Sequence, residues 1–318
     1  MHRLVVFAKV VTASFGPIAA SLKKLVRQRE YGFNTREIYC TSDLTVYCCP
    51  GPGSPAWITV TEQGIRQSFD MTRVMFSRGN ITEKIRFGRL VQQGEMVLDL
   101  YAGIGYFTLP ALVHGDAAFV YACEWNPEAV KALRFNLSDN GVAERALVLE
   151  GDCRVQARNN KLLNMFDRVS LGLLPSSEGG WWTAVQALRK STGGWLHIHA
   201  NVPAKEIQVW TIWLCRRLLS MTKDLDLPSS QPWSVICLHV EKVKSFAPTV
   251  NHYVADCFLG NPESVGLGDK ILPGTTGYVD HEGKIEVIDL ISPLRIPTCA
   301  LSEDGVLHQD WMRMELHE

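Results

Sequence analysis

The apolar positions of this chain change rhythm near residue 95. Upstream, Trp57 to Thr61 and Ile65 to Phe69 alternate with a period of two around Gln63-Gly64, which predicts two short strands closed as a hairpin. Downstream, short apolar runs recur at Met96 to Leu100, Phe119 to Cys123, Ala146 to Glu150, Arg168 to Leu174 and Trp195 to His199. Runs of this length separated by helical stretches predict strands buried on both faces. Pro127 to Leu137 is one such helix, with Ala129, Val130, Leu133 and Leu137 on a single face, and Glu178 to Arg189 is a second. The expected fold is therefore α/β, a doubly wound and mostly parallel sheet, with a small β element ahead of it. Val235 to Val243 and Tyr253 to Phe258, joined through a link that holds Pro248, predict an antiparallel hairpin closing the sheet. Residues 1–50 have weak periodicity and run into a turn-rich break, Cys48-Cys49-Pro50-Gly51-Pro52-Gly53-Ser54-Pro55. Beyond Gly260 only short pieces such as Lys284 to Leu290 resemble strands.

The 318 residues suffice for one full α/β core with extensions. A formal net charge of −1 excludes no class of partner, but its distribution is uneven: residues 1–94 hold 13 Lys and Arg against 6 Asp and Glu, and the remainder 19 against 27. A basic first third ahead of an acidic core suits a polyanionic substrate docking beside the core; the plainer alternative is a solvated surface. The nine cysteines are scattered, and Cys48-Cys49 fits neither a zinc ribbon nor a redox pair, so reduced thiols and no metal are expected. Lys9 interrupts the apolar start, which argues against a secretory signal. A cytoplasmic location is expected, with a mitochondrial presequence as the alternative because no acid precedes Glu30. No apolar run is long enough to span a bilayer, and the sequons at Asn80 and Asn136 carry no weight in a cytoplasmic chain.

The strongest local signal is Asp99-Leu-Tyr101-Ala-Gly103-Ile-Gly105, directly after the first buried strand and before a helical run that starts near Thr108. Glycines there let the backbone turn sharply and approach a ligand. Glu124 ends the next strand, 19 residues after Gly105, where a carboxylate can accept both hydroxyls of a ribose. Asp152 ends the third, placed for an adenine amino group. Thr108 stands where the dinucleotide fingerprint GxGxxG wants its last glycine, so a pyrophosphate has no cradle and S-adenosyl-L-methionine is favoured over NAD. The plainer reading, a simple turn beside solvated acids, needs three coincidences of strand register. A second constellation, Phe76-Ser77-Arg78-Gly79-Asn80-Ile81-Thr82-Glu83-Lys84, offers a lysine for a ligand carboxylate and a hydroxyl at Ser77, although such a string also reads as a helix start with solvated charges.

Together with Ala122-Cys-Glu-Trp-Asn-Pro127, Leu171-Gly-Leu-Leu-Pro-Ser-Ser177, His197-Ile-His199 and Val243-Lys-Ser-Phe-Ala-Pro248, these motifs resemble the tRNA wybutosine-synthesizing protein 2 family over Trp57 to Cys257, about two thirds of the chain. The resemblance implies the class I S-adenosylmethionine-dependent methyltransferase fold and carries cofactor contacts onto Ser77, Lys84, Glu124, Asp152 and Cys153. Cys153 stands where the family often has Asn. The expected division is an extension at 1–55, a small β element with the cofactor-contacting segment at 56–94, a Rossmann-like catalytic domain at 95–260, and an unmatched extension at 261–318.

The implied reaction is transfer of the 3-amino-3-carboxypropyl group to the side ring of the modified guanosine at position 37 of tRNA-Phe, releasing methylthioadenosine. The alternatives are a tRNA guanine-37 N1-methyltransferase and a non-catalytic tRNA-binding protein that keeps the fold. Gly172-Leu-Leu-Pro-Ser-Ser177 lacks the Asn or Asp and the aromatic that hold an amine in many methyltransferases, which sets methylation second. Lys84 and Ser77 are expected at the methionine carboxylate, Glu124 at the ribose, Asp152 at the adenine, and Asp99, Tyr101, Gly103 and Gly105 around the bend. No catalytic base is assigned: Glu83 is a candidate by neighbourhood and reads more readily as a surface carboxylate, and His197 and His199 read as packing or hydrogen-bonding residues rather than metal ligands. Lys23, Lys24, Arg27 and Arg29 are candidates for phosphate contact.

Overall fold

A computed structural model describes residues 37–41, 44–48, 56–227 and 232–301. The candidate phosphate contacts Lys23, Lys24, Arg27 and Arg29 lie outside the described residues. Two sheets organise the chain. Strands β1 (Glu37–Thr41), β2 (Leu44–Cys48), β3 (Trp57–Glu62) and β4 (Ile65–Asp70) form an antiparallel meander, with Gln63 and Gly64 at positive φ in the predicted hairpin turn. Its first two strands come from a segment whose sequence has no clear alternation, since each is only five residues long.

After helix α1 (Ile81–Leu90) the main sheet begins with β5 (Met96–Asp99) and runs through α2 (Thr108–Val113), β6 (Phe119–Glu124), α3 (Pro127–Asp139), β7 (Ala146–Glu150), α4 (Cys153–Asn159), β8 (Arg168–Leu171), α5 (Trp181–Ala187), β9 (Gly194–Pro203) and α6 (Ile207–Thr222). The long hairpin β10 (Ser234–Ala247) and β11 (Val250–Gly260) follows, then β12 (Thr276–Val279) and β13 (Ile285–Val287). The strand order is β13-β12-β10-β11-β9-β8-β5-β6-β7, with β5 to β9 mutually parallel and β11 antiparallel to both its neighbours. The chain leaves β5 toward β6 and β7 and later returns to its other side at β8, so the crevice outside the carboxyl ends of β5 and β8 is a topological switch point.

Both faces are covered. Trp181, Trp210, Trp213 and Leu214 pack α5 and α6 on one face, while Phe87, Leu109, Val130 and Leu133 pack α1 to α3 on the other. Trp57, Val60 and Phe69 dock the small sheet on Ile104, Ala129 and Ala132. Helix α3 begins where the sequence says, because Asn126 accepts the Glu128 N–H at 3.0 Å and Pro127 occupies the first turn. The run Arg168 to Leu174 stops being strand at Leu171, and the predicted helix Glu178 to Arg189 is a 3-10 turn followed by α5, ending at Ala187. The segment beyond Gly260 adds two strands to the sheet: β12 pairs with β10 and β13 with β12.

Candidate functional site

Three strand tips and the loop after β5 meet at the switch point. Asp99 ends β5 fully buried, its Oδ2 accepting the Thr108 hydroxyl at 2.7 Å, which ties the strand to the first turn of α2. Burial pushes its carboxyl up to about 6 against the pull of that hydrogen bond. The loop is stitched to both neighbouring strands by Leu100 N–H on Ser170 O (3.1 Å) and Ala102 N–H on Cys123 O (2.9 Å). Gly103 (φ +57°) and Gly105 (φ +104°) carry the turn, and a Cβ on Gly105 would lie 2.9 Å from Leu109. The bend therefore requires glycine for both its backbone angle and its space.

Glu124 ends β6 half-buried, with Oε2 accepting the Gly103 N–H at 2.7 Å and Oε1 the Asn126 N–H at 2.8 Å. An ionised carboxylate has about four acceptor sites, so two remain for a ligand. Asp152 caps α4 by accepting the Arg154 N–H at 2.8 Å and is gripped by the Arg154 guanidinium at 2.6 Å, which holds its carboxyl below the usual range. Cys153 is buried in the first turn of α4; burial raises its thiol to about 11, and the Tyr101 hydroxyl donates to it. The same hydroxyl would meet a Cβ on Gly180 at 2.7 Å, so Tyr101 joins the bend to α4 and to the segment before α5.

Ser77 lies beside the bend, its N–H donating to the Tyr106 hydroxyl at 3.2 Å while that hydroxyl donates to Met75 O at 2.7 Å. Lys84 is placed differently from the expectation of an ammonium open to a ligand. It is 4% exposed and ion-paired with Glu62 of β3, under the rings of Phe76 (5.0 Å) and Tyr106 (5.3 Å). The cavity it borders is lined by Gln63, Ile65, Pro110 and His114, between α1, α2 and the small sheet.

Glu83 is not a surface carboxylate. It is 1% exposed, bound by Arg86 at 2.7 and 2.8 Å, and raised by burial. Arg86 also pairs with Asp256, Asp256 with His197 Nδ1 (2.6 Å), and His197 Nε2 with Arg168 (2.7 Å), which Glu95 holds at 2.7 Å. An arginine only donates, so Nε2 accepts and the His197 proton sits on Nδ1, facing Asp256. Burial alone would raise the Asp256 carboxyl, but His197 and Arg86 hold it well below the usual range. His199 is buried as well, bonded through Nδ1 to His252 Nε2 at 2.9 Å. These bonds join α1 to β8, β9 and β11, a tie whose partners lie too far apart in sequence for spacing to reveal. Among the described residues no group of His, Cys, Asp or Glu is arranged to hold a metal, and no helix is long and apolar enough to cross a membrane.

Beside the Asp152 tip, Arg154, Arg158, Lys161, Trp182 and Arg217 line a groove of about 570 Å³ that Glu178 and Asp224 also border. Its cations come from two segments, α4 with the residue pair just after it and α6, and are spaced out along both, which is why no basic run marks it in the sequence.

The profile of the TRM5/TYW2 methyltransferase domain matches residues 58–218. The chain is 44% identical over 249 residues to the human tRNA wybutosine-synthesizing protein 2 homolog, a match that covers 64% of this chain and 55% of the human protein. It spans about half the length, or less, of the curated relatives it matches. Among solved structures it resembles M. jannaschii TYW2 in complex with AdoMet, with 27% identity, a TM-score of 0.57, and coverage of 69% of this chain and 93% of that one. It also resembles P. horikoshii TYW2 in complex with MeSAdo, with 25% identity, a TM-score of 0.56, and coverage of 76% and 83%.

Proposed function

Because this chain belongs to the family of the TRM5/TYW2 methyltransferase domain, we propose that it is an S-adenosylmethionine-dependent tRNA-modifying transferase of wybutosine synthesis. The finer reading is transfer of the 3-amino-3-carboxypropyl group to the side ring of the modified guanosine at position 37 of tRNA-Phe. The crevice suits the nucleoside: two glycines keep the bend free of side chains, and a half-buried Glu124 retains acceptor sites for ribose hydroxyls. In this reading Asp152 and Cys153 face the adenine, Asp99 and Tyr101 hold the bend through Thr108 and Cys153, and Ser77 and the Lys84–Glu62 pair border the amino-acid end. Residues 95–260 form the catalytic unit of this proposal, with 56–94 supplying the segment that closes it.

The cosubstrate supplies an activated sulfonium, and its orientation decides which carbon is attacked. For carboxypropyl transfer the acceptor carbon bonds to the methylene beside sulfur, the carbon–sulfur bond breaks with its electron pair staying on sulfur, and the acceptor carbon loses its proton. The chain's residues then act chiefly by positioning.

The observation that carries this choice over methylation is the loop after β8. A Cβ on Gly172 would lie 3.1 Å from the Phe107 ring, which is itself wedged edge-on against Phe87 and His199 at 5.4 and 4.9 Å. An amine-holding Asn or Asp at this position would need the Phe107 ring to give by a few tenths of an ångström against Phe87 and His199. The basic groove beside Arg154 supports a polyanionic partner such as tRNA, through phosphate contacts that weaken with salt. A double-label assay tests the proposal: label from the carboxypropyl carbons should reach tRNA with release of methylthioadenosine, whereas transfer of methyl label would establish the methyltransferase alternative.

A further inference from the structure

We propose that the groove between α4, α5 and α6 binds a single-stranded stretch of the RNA, one base stacking on the Trp182 indole and the flanking phosphates meeting Arg158 and Lys161; this rests on the tRNA reading above. A loop of RNA presents what a duplex hides, an unstacked base beside its own phosphates. A surface that takes such a strand needs an aromatic face with cations around it.

The groove has both parts. Its apolar side is left uncovered: Leu163 is half-exposed and Trp182 is 37% exposed, whereas the adjacent Trp181 is buried and packs on Trp213 at 5.4 Å. Successive positions on a helix point about 100° apart, so α5 gives one indole to the core and the other to the groove. The cations stand around that ring. Arg158 and Lys161 are exposed, and among the described residues neither forms an ion pair, whereas Arg154 pairs with Asp152. Residues 95–318 hold 19 Lys and Arg against 27 Asp and Glu, yet the groove sets four cations against Glu178 and Asp224. A local positive field in an otherwise acidic core draws a polyanion to this place.

Position and size select the ligand. Arg154 lines the groove and also grips Asp152 at 2.6 Å, so the groove starts one side chain away from the strand tip. A strand whose modified nucleotide sits at the tips therefore reaches the groove with its neighbours. Arg154 stays with Asp152, which leaves Arg158 and Lys161 for the phosphates. The volume of about 570 Å³ falls within the range of small-molecule sites, about 300–1,000 Å³, which is room for a nucleotide and not for a double helix.

Fluorescence anisotropy on the full chain tests this with two labelled probes, a tRNA-Phe anticodon stem-loop and a fully paired RNA duplex of the same length. Trp182→Leu should weaken stem-loop binding roughly tenfold or more while duplex binding stays within about twofold, and Trp182→Phe should restore most of the loss. Arg158→Gln/Lys161→Gln should reduce the slope of log affinity against log salt by about 1.4, two single-strand phosphate contacts at about 0.7 each. Calorimetric affinity for S-adenosylmethionine should stay within about twofold in every variant, since none of these side chains belongs to the crevice. Stem-loop affinity and salt slope unchanged in the variants would overturn the proposal, and so would an equal loss for stem-loop and duplex in Trp182→Leu. Polyglutamate binding that fell with Trp182→Leu as far as stem-loop binding would assign the groove to an acidic protein instead. Wild-type protein that bound no tRNA would bring down the tRNA reading itself, whereas wild-type binding with unaffected variants brings down the groove alone.

Discussion

Glu124 shapes the bend that follows a different strand: its Oε2 holds the Gly103 N–H at 2.7 Å, while Oε1 holds the Asn126 N–H at 2.8 Å at the start of α3. One carboxylate thus sets the glycine loop and the next helix, and in the proposed function it also receives the ribose. Glu124→Ala should weaken S-adenosylmethionine binding by about 1–3 kcal/mol through loss of charged hydrogen bonds. Glu124→Gln should lose less, because one amide oxygen still accepts from Gly103. Calorimetric affinities equal to wild type in both variants would refute the ribose assignment.

Gly105 is held at φ +104° with Leu109 and Leu133 at 2.9 and 3.1 Å from the place of a Cβ. Gly105→Ala combines backbone strain with overlap in a packed core, and should destabilise the fold by at least about 1–3 kcal/mol. Urea unfolding of the two proteins measures the difference, and an unchanged midpoint would show that the loop relaxes freely.

The buried Lys84–Glu62 pair is expected to matter most when half of it is missing. Lys84→Met removes the ammonium that faces the buried Glu62 carboxylate and should destabilise the fold by up to about 3–5 kcal/mol, whereas Glu62→Gln/Lys84→Met should recover most of that loss. A double variant no more stable than the single one would mean that the lysine stem, rather than its charge, supports the site.

Asp99 sets a pH dependence of defined sign. Its carboxyl is raised to about 6 by burial, so between pH about 4 and about 6 the folded state binds more protons than the unfolded chain. Its contribution to stability is greatest below that window and is lost as pH rises through it. Asp99→Asn keeps an acceptor for Thr108 and removes the titration, so its stability relative to wild type should climb from pH 4 to pH 7. Parallel unfolding curves at all pH values would contradict the raised pKa.

Much of the architecture was legible because buried strands leave a direct mark: Met96 to Leu100, Phe119 to Cys123 and Ala146 to Glu150 are apolar for the same reason that β5, β6 and β7 are covered on both faces. The switch-point bend was legible too, since its glycines and the acids at neighbouring strand ends follow from local spacing. Strands β12 and β13 were not, because three- and four-residue edge strands carry too little periodicity to stand out from turns.

Local order along the chain therefore determined which segments are strand or helix and which glycines and acids gather at the strand tips, because hydrophobic period and turn chemistry act between near neighbours. Only the tertiary structure decided how the charges are spent. Arg86 finds Asp256 across 170 positions and Lys84 finds Glu62 across 22, and both pairs form because a charge buried by packing must be neutralised by whatever the fold brings beside it.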